Sequence, residues 1–562
     1  MGLLLHDLRY ALRQLRKSPG FAAVVILTLA FGIGANTAIF SVLDAVMLRN
    51  LPVRDPHQLQ LFGKGHWVGS EDTLPNRSWQ LFSYPFFREF SQKNEVFSDV
   101  AAVDSILFDA HGRVAGSANL EKVATELVSG TYFNTLGVNA ILGRRLTAAD
   151  DQTPGAHPVA VASYLWWQRR FGKDPSVFGK TVTIGSTVYT IIGVAPPDFF
   201  GSTVGQSPDL WIPLAMEKEI SPGWNGLDQP LFQSLDLIAR RKPGVTVEQA
   251  SANTNLLFKQ ILREYVGSRP TPKELDDIQH AQIELTPAAT GLSQLRQRFS
   301  SPLKILMAVV ALVLLVACAN VANLLLARAA ARRREIAVRM SLGVTRSRLI
   351  RQLLVESAVL ACSGALLGVW SAWWAIRVLT RMDAAAPIQV PLGTQMLGFA
   401  LAATVLTVIL FGIAPAFYAT RVNLAPSLKA ARTSSPVESR NLLSRGLIVG
   451  QVALSLVLLA AAGLFLRSLM NLMNVDTGFD KQNVLLAGID PGGAGYQPDS
   501  RFEAVIDPDR GARGISARHS RRQLRLHGFQ RGWLDEPGPR TGSSEIGQRS
   551  RCRPQYCGAA LS

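Results

Sequence analysis

The sequence predicts an α-helical membrane protein with about five transmembrane helices and a large mixed α+β domain outside the membrane. Five apolar runs are each long enough to cross a bilayer, which takes about 20 residues. Residues 49–300, between the first two runs, have the mixed composition of a soluble domain. Basic residues flank the apolar runs, and their distribution predicts which side of the membrane each end faces.

The chain begins with a segment, residues 1–20, that predicts an amphipathic helix on the cytoplasmic membrane surface. Four leucines fall on one helical face, and three arginines follow its flank: Leu5, Leu8, Leu12, Leu15, and Arg9, Arg13, Arg16. The first apolar run, Phe21–Leu43, predicts a transmembrane helix over residues 21–48. This run is longer, and starts later, than the core of a cleaved signal peptide, so we expect an uncleaved anchor.

Three further runs lie within residues 303–420, and a fifth helix is predicted over residues 446–467. The runs are Ile305–Ala327, Ala358–Ile376, Met396–Tyr418 and Gly446–Leu466. The basic residues around them place the N-terminus in the cytoplasm and residues 49–300 outside. Glycine pairs at 364/368 and 446/450 have the GxxxG spacing that lets membrane helices approach closely.

A strongly cationic segment, residues 328–354, separates the second and third apolar runs. It predicts a helix that cannot lie in hydrocarbon, and its arginines favour the cytoplasmic face. We therefore expect this helix to be available to a soluble cytoplasmic partner.

Residues 49–300 predict an α+β domain. The strand-like runs are His157–Tyr164 and Val182–Ala195, and the helical candidates are Ser83–Gln92 and Thr246–Val266. Two carboxylate pairs, Glu71-Asp72 and Asp150-Asp151, are expected to be solvated, because adjacent acidic residues in a loop usually are.

The sequence predicts neither an enzyme nor a site for a cofactor or metal. No HExxH, CxxC or GxSxG motif occurs. Gly179-Lys180-Thr181 resembles the end of a phosphate loop, but Asp174 stands where that loop requires glycine. Any ATPase must therefore be another polypeptide. The formal charge of +17 does not indicate nucleic-acid binding, because many basic residues flank apolar runs and no nucleic-acid-binding motif is present.

Several segments together resemble bacterial ABC-transporter permeases of the MacB/FtsX type, most closely the duplicated permeases frequent in acidobacterial genomes. The segments are DLRYALRQLRKSPGF (7–21), LAFGIGANTAIFSVLDAVML (29–48), VSGTYFNTLGV (128–138), GRRLTAADD (143–151), WWQRRFGKDPSVFGK (166–180), IIGVAPPDFFG (191–201) and RRREIAVRMSLGVTRSRLIRQLLVES (332–357). The resemblance covers about residues 1–500. It implies a MacB-like periplasmic core domain over 49–300 and an FtsX-like permease domain over 303–420.

The resemblance implies a permease subunit of the bacterial inner membrane that transmits the motion of a separate cytoplasmic ABC ATPase to the periplasm, for export or efflux. The implied partners are the ATPase, a second permease copy or paralogue, and a periplasmic adaptor. The segment 328–354 would be the coupling helix, with an ATPase contact at Arg334, Glu335, Arg339, Gly343 and Arg348. Its arginines could instead fix topology and bind anionic lipid, whereas Glu335 favours a protein partner.

The subgroup also implies duplication of the whole plan. Residues 421–445 form a predicted cytoplasmic linker, and residues 468–503 resemble the start of a second periplasmic domain. Residues 504–562 contain arginine but no lysine and lack apolar periodicity, which indicates a shifted reading frame or a disordered basic tail.

Two alternative functions remain open beside export. The same fold could serve as a transmembrane scaffold that activates a periplasmic cell-envelope enzyme. The tail allows the chain to be a non-functional fragment of a duplicated permease.

Overall fold

The computed structural model describes residues 2–65, 71–72, 79–115, 117, 119–221, 226–267, 269–292, 294–331, 338, 345–382, 393–420 and 442–474. Residues 421–441 of the predicted linker 421–445, most of the predicted second domain and the tail 504–562 lie outside these residues, and residues 442–445 belong to a helix. The α-helices are α1 (Gly2–Arg16), α2 (Pro19–Leu43), α3 (Tyr84–Lys93), α4 (Tyr132–Leu136), α5 (Tyr164–Phe171), α6 (Glu217–Ile220), α7 (Val247–Val266), α8 (Pro272–His280), α9 (Gln294–Ala331), α10 (Arg346–Met382), α11 (Thr394–Thr420) and α12 (Leu442–Met473).

The large domain is built on a mixed ten-stranded sheet with the order β12-β1-β11-β3-β4-β9-β6-β8-β5, and β7 pairs with β3 and β8. The strands are β1 (Leu59–Phe62), β2 (Glu71–Asp72), β3 (Phe97–Val114), β4 (Glu121–Val128), β5 (Leu142–Gly143), β6 (Val159–Ala162), β7 (Thr181–Ile184), β8 (Thr187–Val194), β9 (Leu210–Pro213), β10 (Phe232–Gln233), β11 (Leu235–Arg241) and β12 (Leu285–Pro287). The pairs β4–β9 and β6–β8 are parallel. The described part of the chain therefore has the mixed α+β domain that the sequence predicts.

Each face of this sheet carries a hydrophobic core. On one face α3 and α7 contribute Phe86, Phe90 and Phe258 to a core shared with the strands, and the ring of Phe86 contacts both of the other rings. On the other face Tyr132 and Phe133 of α4 pack against Phe199 and Trp211. Large buried aromatic side chains on both faces stabilise the sheet, and the chain segments leading to the membrane attach to it.

Helices α3 and α7 begin at the residues that the sequence indicates. The hydroxyl of Ser83 accepts a hydrogen bond from the N–H of Phe86 and caps α3. Thr246 and Gln249 form a capping box at the start of α7. Such caps satisfy backbone N–H groups that have no partner within the helix.

Asp150 and Asp151 are buried, so the expectation that this pair is solvated is wrong. Arg144 donates to both oxygens of Asp150, at 2.6 and 2.7 Å. Asp151 accepts the backbone N–H groups of Gly130 and Ala215 at 3.2 and 2.7 Å. Both carboxylates therefore join segments of the large domain instead of facing water.

The long apolar helices lie where the five spans are predicted. Four are long and apolar enough to cross a membrane, over Pro19–Leu48, Phe299–Arg328, Arg346–Val378 and Ile448–Met473. The fourth predicted span corresponds to α11, in which Thr394–Ile409 forms a shorter apolar stretch. An α-helical membrane protein with a large α+β domain is thus confirmed.

Helix α2 and helix α10 touch backbone to backbone at the first predicted glycine pair. A Cβ atom on Gly368 would lie 2.8 Å from the carbonyl oxygen of Ala30, and one on Gly34 would lie 2.8 Å from that of Gly368. Glycine at both positions permits this close approach. The second pair, Gly446 and Gly450 on α12, has nothing within 4 Å, so it makes no such contact here.

Polar side chains connect the other membrane helices. The amide of Asn36 on α2 donates to the carbonyl of Val310 on α9 at 2.9 Å. Asn323 on α9 donates to Gln451 on α12 at 3.3 Å. No described residue of the apolar stretch Ile448–Met473 is buried, so α12 is attached to the bundle chiefly at its start.

Candidate functional site

The end of the helix bundle opposite the large domain combines α1, the end of α9 and the start of α10. Helix α1 packs through Asp7 and Ala11, which are both buried. The carboxylate of Asp7 accepts a hydrogen bond from Nε of Arg351 on α10 at 2.9 Å. This ion pair fixes the first helix of the chain to the first turns of α10.

Arg328, near the end of α9, is the centre of a second set of contacts. Its Nη1 lies 3.1 Å from Oε1 of Glu356 on α10, and its Nη2 donates to the hydroxyl of Ser18 at 2.8 Å. The guanidinium also lies 4.4 Å from the ring centre of Phe21, at the start of α2. One arginine therefore holds α9, α10 and the junction of α1 with α2.

The Arg328–Glu356 pair is shielded from water, with side-chain exposures of 15% and 8%. Removing one member of a buried pair leaves an unpaired charge, which costs about 3–5 kcal/mol. The Asp7–Arg351 pair is half open, because Arg351 is 39% exposed, and it should stabilise the fold less. We name these two pairs, with Ser18, the base cluster.

The predicted coupling residues fall mostly outside the described part of the chain. Arg334, Glu335, Arg339 and Gly343 lie in residues 332–337 and 339–344, of which the structure describes nothing. Arg348 is described, and it is exposed in the first turn of α10.

The structure adds one feature to the predicted coupling segment. Residues 346–382 form a single helix, so the last part of the segment continues without a break into the third span. Arg348 and Glu356 are two turns apart on this helix. Any force applied at Arg348 therefore reaches the base cluster through regular helix.

The leucine face of α1 is not the face that packs against the protein. Leu8 and Leu12 are 40% and 48% exposed, while Leu15 is partly buried against the bundle. Arg9, Arg13 and Arg16 are also exposed. An exposed apolar stripe beside exposed arginines is the pattern of a helix that lies between lipid tails and headgroups, and that location of α1 stays a prediction.

Sequence reasoning missed Asp7 and Glu356 as site residues. Asp7 and Arg351 are 344 positions apart in the chain, and no local pattern joins them. One signal was available: Asp7 and Glu356 are acidic residues in two otherwise basic helices next to apolar runs. An acid in that setting usually has a partner, because it gains nothing from an anionic membrane surface.

The large domain contains carboxyl groups with strongly shifted pKa values, although no described group of His, Cys, Asp or Glu is arranged to hold a metal ion. Burial raises the pKa of Asp104 to about 8 and that of Glu126 to about 7. Burial also raises the pKa of Asp236, on the neighbouring strand β11, and the charge of Asp104 raises it further. The indole N–H of Trp211 donates to Glu126 at 2.7 Å. These groups are enclosed in the sheet and have no open access to a substrate.

Two family models match the chain. A model described as MacB-like periplasmic core domain matches residues 22–255. A second, described as FtsX-like permease C-terminal, matches residues 307–424. The first covers α2 and most of the large domain, and the second covers the part that contains the base cluster residues Arg328, Arg351 and Glu356.

Similar proteins include two exporters. The pyoverdine export ATP-binding/permease protein PvdT of Pseudomonas savastanoi pv. phaseolicola is 26% identical over 287 residues, which cover 51% of this chain and 40% of PvdT. The macrolide export ATP-binding/permease protein MacB of Salmonella typhi is 25% identical over 311 residues, covering 54% of this chain and 42% of MacB. The chain therefore spans less than half the length of these relatives.

Among solved structures, the periplasmic region of MacB from Actinobacillus actinomycetemcomitans aligns at 15% identity with a TM-score of 0.30, over 47% of this chain and 97% of that region. The assignment itself comes from the two family models and the similar permeases, together with the apolar helices. On these grounds the chain combines a MacB-like periplasmic core domain with an FtsX-like permease domain, is similar to permeases of the MacB/FtsX type, and has the apolar helices of a multi-pass membrane protein.

Proposed function

We propose that this chain is the permease subunit of an ABC exporter that receives the motion of a separate cytoplasmic ATPase and passes it to the periplasmic domain. The observation that carries the proposal is the base cluster, which fastens the start of α10 to α1, α2 and α9. A force applied to the segment before α10 would move several helices together, as coupling requires.

The proposal needs the base cluster to face the cytoplasm. Exposed basic residues are concentrated at this end of the bundle: Arg9, Arg13, Arg16, Lys17, Arg346 and Arg348. Positive charge beside transmembrane helices favours the cytoplasmic side. The N-terminus would then be cytoplasmic, and the large domain would lie across the membrane in the periplasm.

The proposed contact with the ATPase includes Arg334, Glu335, Arg339, Gly343 and Arg348. Exposed Arg348, at the start of a helix that is anchored two turns later at Glu356, is well placed to meet a partner. Because one such segment contacts one ATPase subunit, a working transporter would contain a second copy of this chain or a paralogue. A periplasmic adaptor would complete an export path.

Co-purification of the full chain with a MacB-type ATPase tests the proposal. We expect Glu335→Lys and Gly343→Pro to reduce both association and stimulated ATP hydrolysis by on the order of tenfold, as loss of a central interface contact does. Glu248→Lys is the matched control, because Glu248 is an exposed residue of α7 in the large domain. Undiminished association and stimulation in both variants would remove the proposed coupling segment.

A further inference from the structure

Two chain segments join the large domain to the membrane helices, and they are bonded to each other. Residues 49–58 follow α2, and residues 287–292 precede α9. The N–H of Leu51 donates to the carbonyl of Ala289 at 2.8 Å, and the N–H of Ala288 donates to that of Leu59 at 3.0 Å. The chain therefore enters and leaves the domain through one hydrogen-bonded junction.

A third segment, residues 201–204, closes this junction. The N–H of Leu292 donates to the carbonyl of Ser202, and the N–H of Val204 donates back to the carbonyl of Leu292, both at 2.9 Å. Gly291 has a φ of +73°, and a Cβ atom there would lie 2.5 Å from the Ser202 carbonyl oxygen. Only glycine fits both the backbone conformation and the close contact. We call residues 49–58, 201–204 and 287–292 the collar.

Arg240 of β11 fixes the collar to the sheet. Its side chain is buried, with 4% of the residue exposed. The guanidinium donates five hydrogen bonds, to the carbonyls of Arg54, Asp55, Thr135 and Leu136 and to the amide oxygen of Gln58. Three of these acceptors belong to residues 54–58, and two belong to α4. The planar guanidinium of arginine has donors in fixed directions and can hold two segments in one orientation, whereas the single ammonium of lysine cannot.

Both membrane helices continue into the collar without a free linker. A five-residue π-helix, Asp44–Leu48, extends α2. It ends where the backbone N–H of Arg49 donates to the backbone carbonyl of Asp44 at 2.9 Å. Arg296 in the first turn of α9 donates to the carbonyl of Thr290 at 2.8 Å. Each helix is thus tied within a few residues to a segment of the collar.

We propose that the collar moves as one body with the first two spans, and that Arg240 is the positioning residue that transfers this movement to the sheet of the large domain. The inference rests on the proposed function, because it names the element through which the ATPase stroke would reach the periplasm. It assigns to Arg240 and Gly291 a role in transmission that differs from contact with either ATPase or cargo.

Hydrogen–deuterium exchange on the full chain, without ATPase, tests the mechanical unit. In Arg240→Met we expect amide exchange in residues 49–58 and 287–292 to accelerate together, by on the order of tenfold, because the collar would open cooperatively. Arg241→Met is the matched control, since neighbouring Arg241 donates within the local turn, to the carbonyl of Val245. Acceleration confined to residues 54–58 would overturn the collar as a single body.

The second measurement adds the cognate ATPase and ATP in nanodiscs. Wild type should show an ATP-dependent change of exchange in the large domain. Arg240→Met and Gly291→Val should keep ATP hydrolysis within about twofold and lose that change, and Arg240→Lys should retain part of it. Gly244→Val is the control for Gly291→Val, because Gly244 has a φ of +86° and nothing within 4 Å.

The outcomes separate the two proposals. If both Arg240→Met and Gly291→Val retain the ATP-dependent change, the role of the collar is refuted. If wild type lacks ATPase association, the proposed function fails, and the exchange experiment without ATPase still decides whether the collar is one body. Should Arg240→Met unfold the domain, seen as fast exchange throughout β3 and β4, Gly291→Val decides alone, because it leaves the sheet core unchanged.

Discussion

Replacing Glu356 by glutamine tests the base cluster most directly. The substitution keeps shape and a carbonyl oxygen but removes the negative charge that lies 3.1 Å from Arg328. At an effective dielectric constant of about 20, a pair at this distance is worth about 5 kcal/mol of Coulomb energy. Because Ser18 and Phe21 still contact Arg328, we expect a loss of about 3 kcal/mol in the free energy of unfolding, at the lower end of the cost of leaving a buried charge unpaired.

Reversible unfolding of the full chain in mixed micelles of mild detergent and SDS measures this loss. Arg328→Met should cost a similar amount, because it leaves Glu356 buried without its cation. The double variant Arg328→Met with Glu356→Leu should lie within about 1 kcal/mol of wild type, since an apolar pair can replace a buried ion pair. The double-mutant cycle then gives the coupling between the two residues.

The control is Glu264→Gln, which removes an exposed partner of Lys93 at the same 3.1 Å distance. Water screens that pair, so no measurable change is expected. A loss below about 0.5 kcal/mol for Glu356→Gln, the value typical of surface pairs, would refute the claim that the base cluster is a buried anchor.

Three further predictions concern the helix crossing and the large domain. Gly368→Leu should destabilise the chain by at least about 2 kcal/mol in the same unfolding assay, because the leucine side chain would clash with the backbone of α2. Gly398→Leu is the control and should be neutral, because a Cβ atom at that position has no neighbouring atom within 4 Å. The melting temperature of the large domain should fall from about pH 5 to about pH 8. In the fold Asp104 and Glu126 keep their protons up to pKa values of about 8 and about 7, whereas in the unfolded chain they lose them at lower pH, so the folded state loses stability as pH rises. A melting temperature that rises over this range would contradict the raised pKa values. Ser83→Ala should lower the free energy of unfolding by about 1 kcal/mol through loss of the α3 cap, and Ser83→Thr should retain most of it, as differential scanning calorimetry would show.

Local patterns in the sequence predicted the architecture. Apolar runs of membrane length coincide with α2, α9, α10, α11 and α12, because a helix in hydrocarbon satisfies all of its backbone groups internally. The helical candidates Ser83–Gln92 and Thr246–Val266 correspond to α3 and α7. The sheet order was beyond sequence reasoning, because pairings such as β1 with β12 join residues far apart in the chain.

The candidate site could be predicted only in part. The cationic segment is visible as a local excess of arginine, but Arg328–Glu356 and Asp7–Arg351 form through tertiary packing. The burial of Asp150 shows the same limit. Adjacent acids are normally solvated, and here Arg144 and the Thr147 cap stabilise one of them inside the domain. Burial opposes ionisation of Asp150, but these hydrogen bonds outweigh it and lower the pKa of the carboxyl.

Helix α9 is continuous over 38 residues, with Arg296 tied near one end and Arg328 near the other. At 1.5 Å per residue these two arginines are about 48 Å apart, against a hydrocarbon thickness of about 30 Å. A long helix held at both ends can adapt to a thicker or thinner bilayer by changing its tilt. The acyl-chain length of the surrounding lipids should therefore change the tilt of α9, and the chain reconstituted in short-chain and long-chain lipids would hold this helix at different angles.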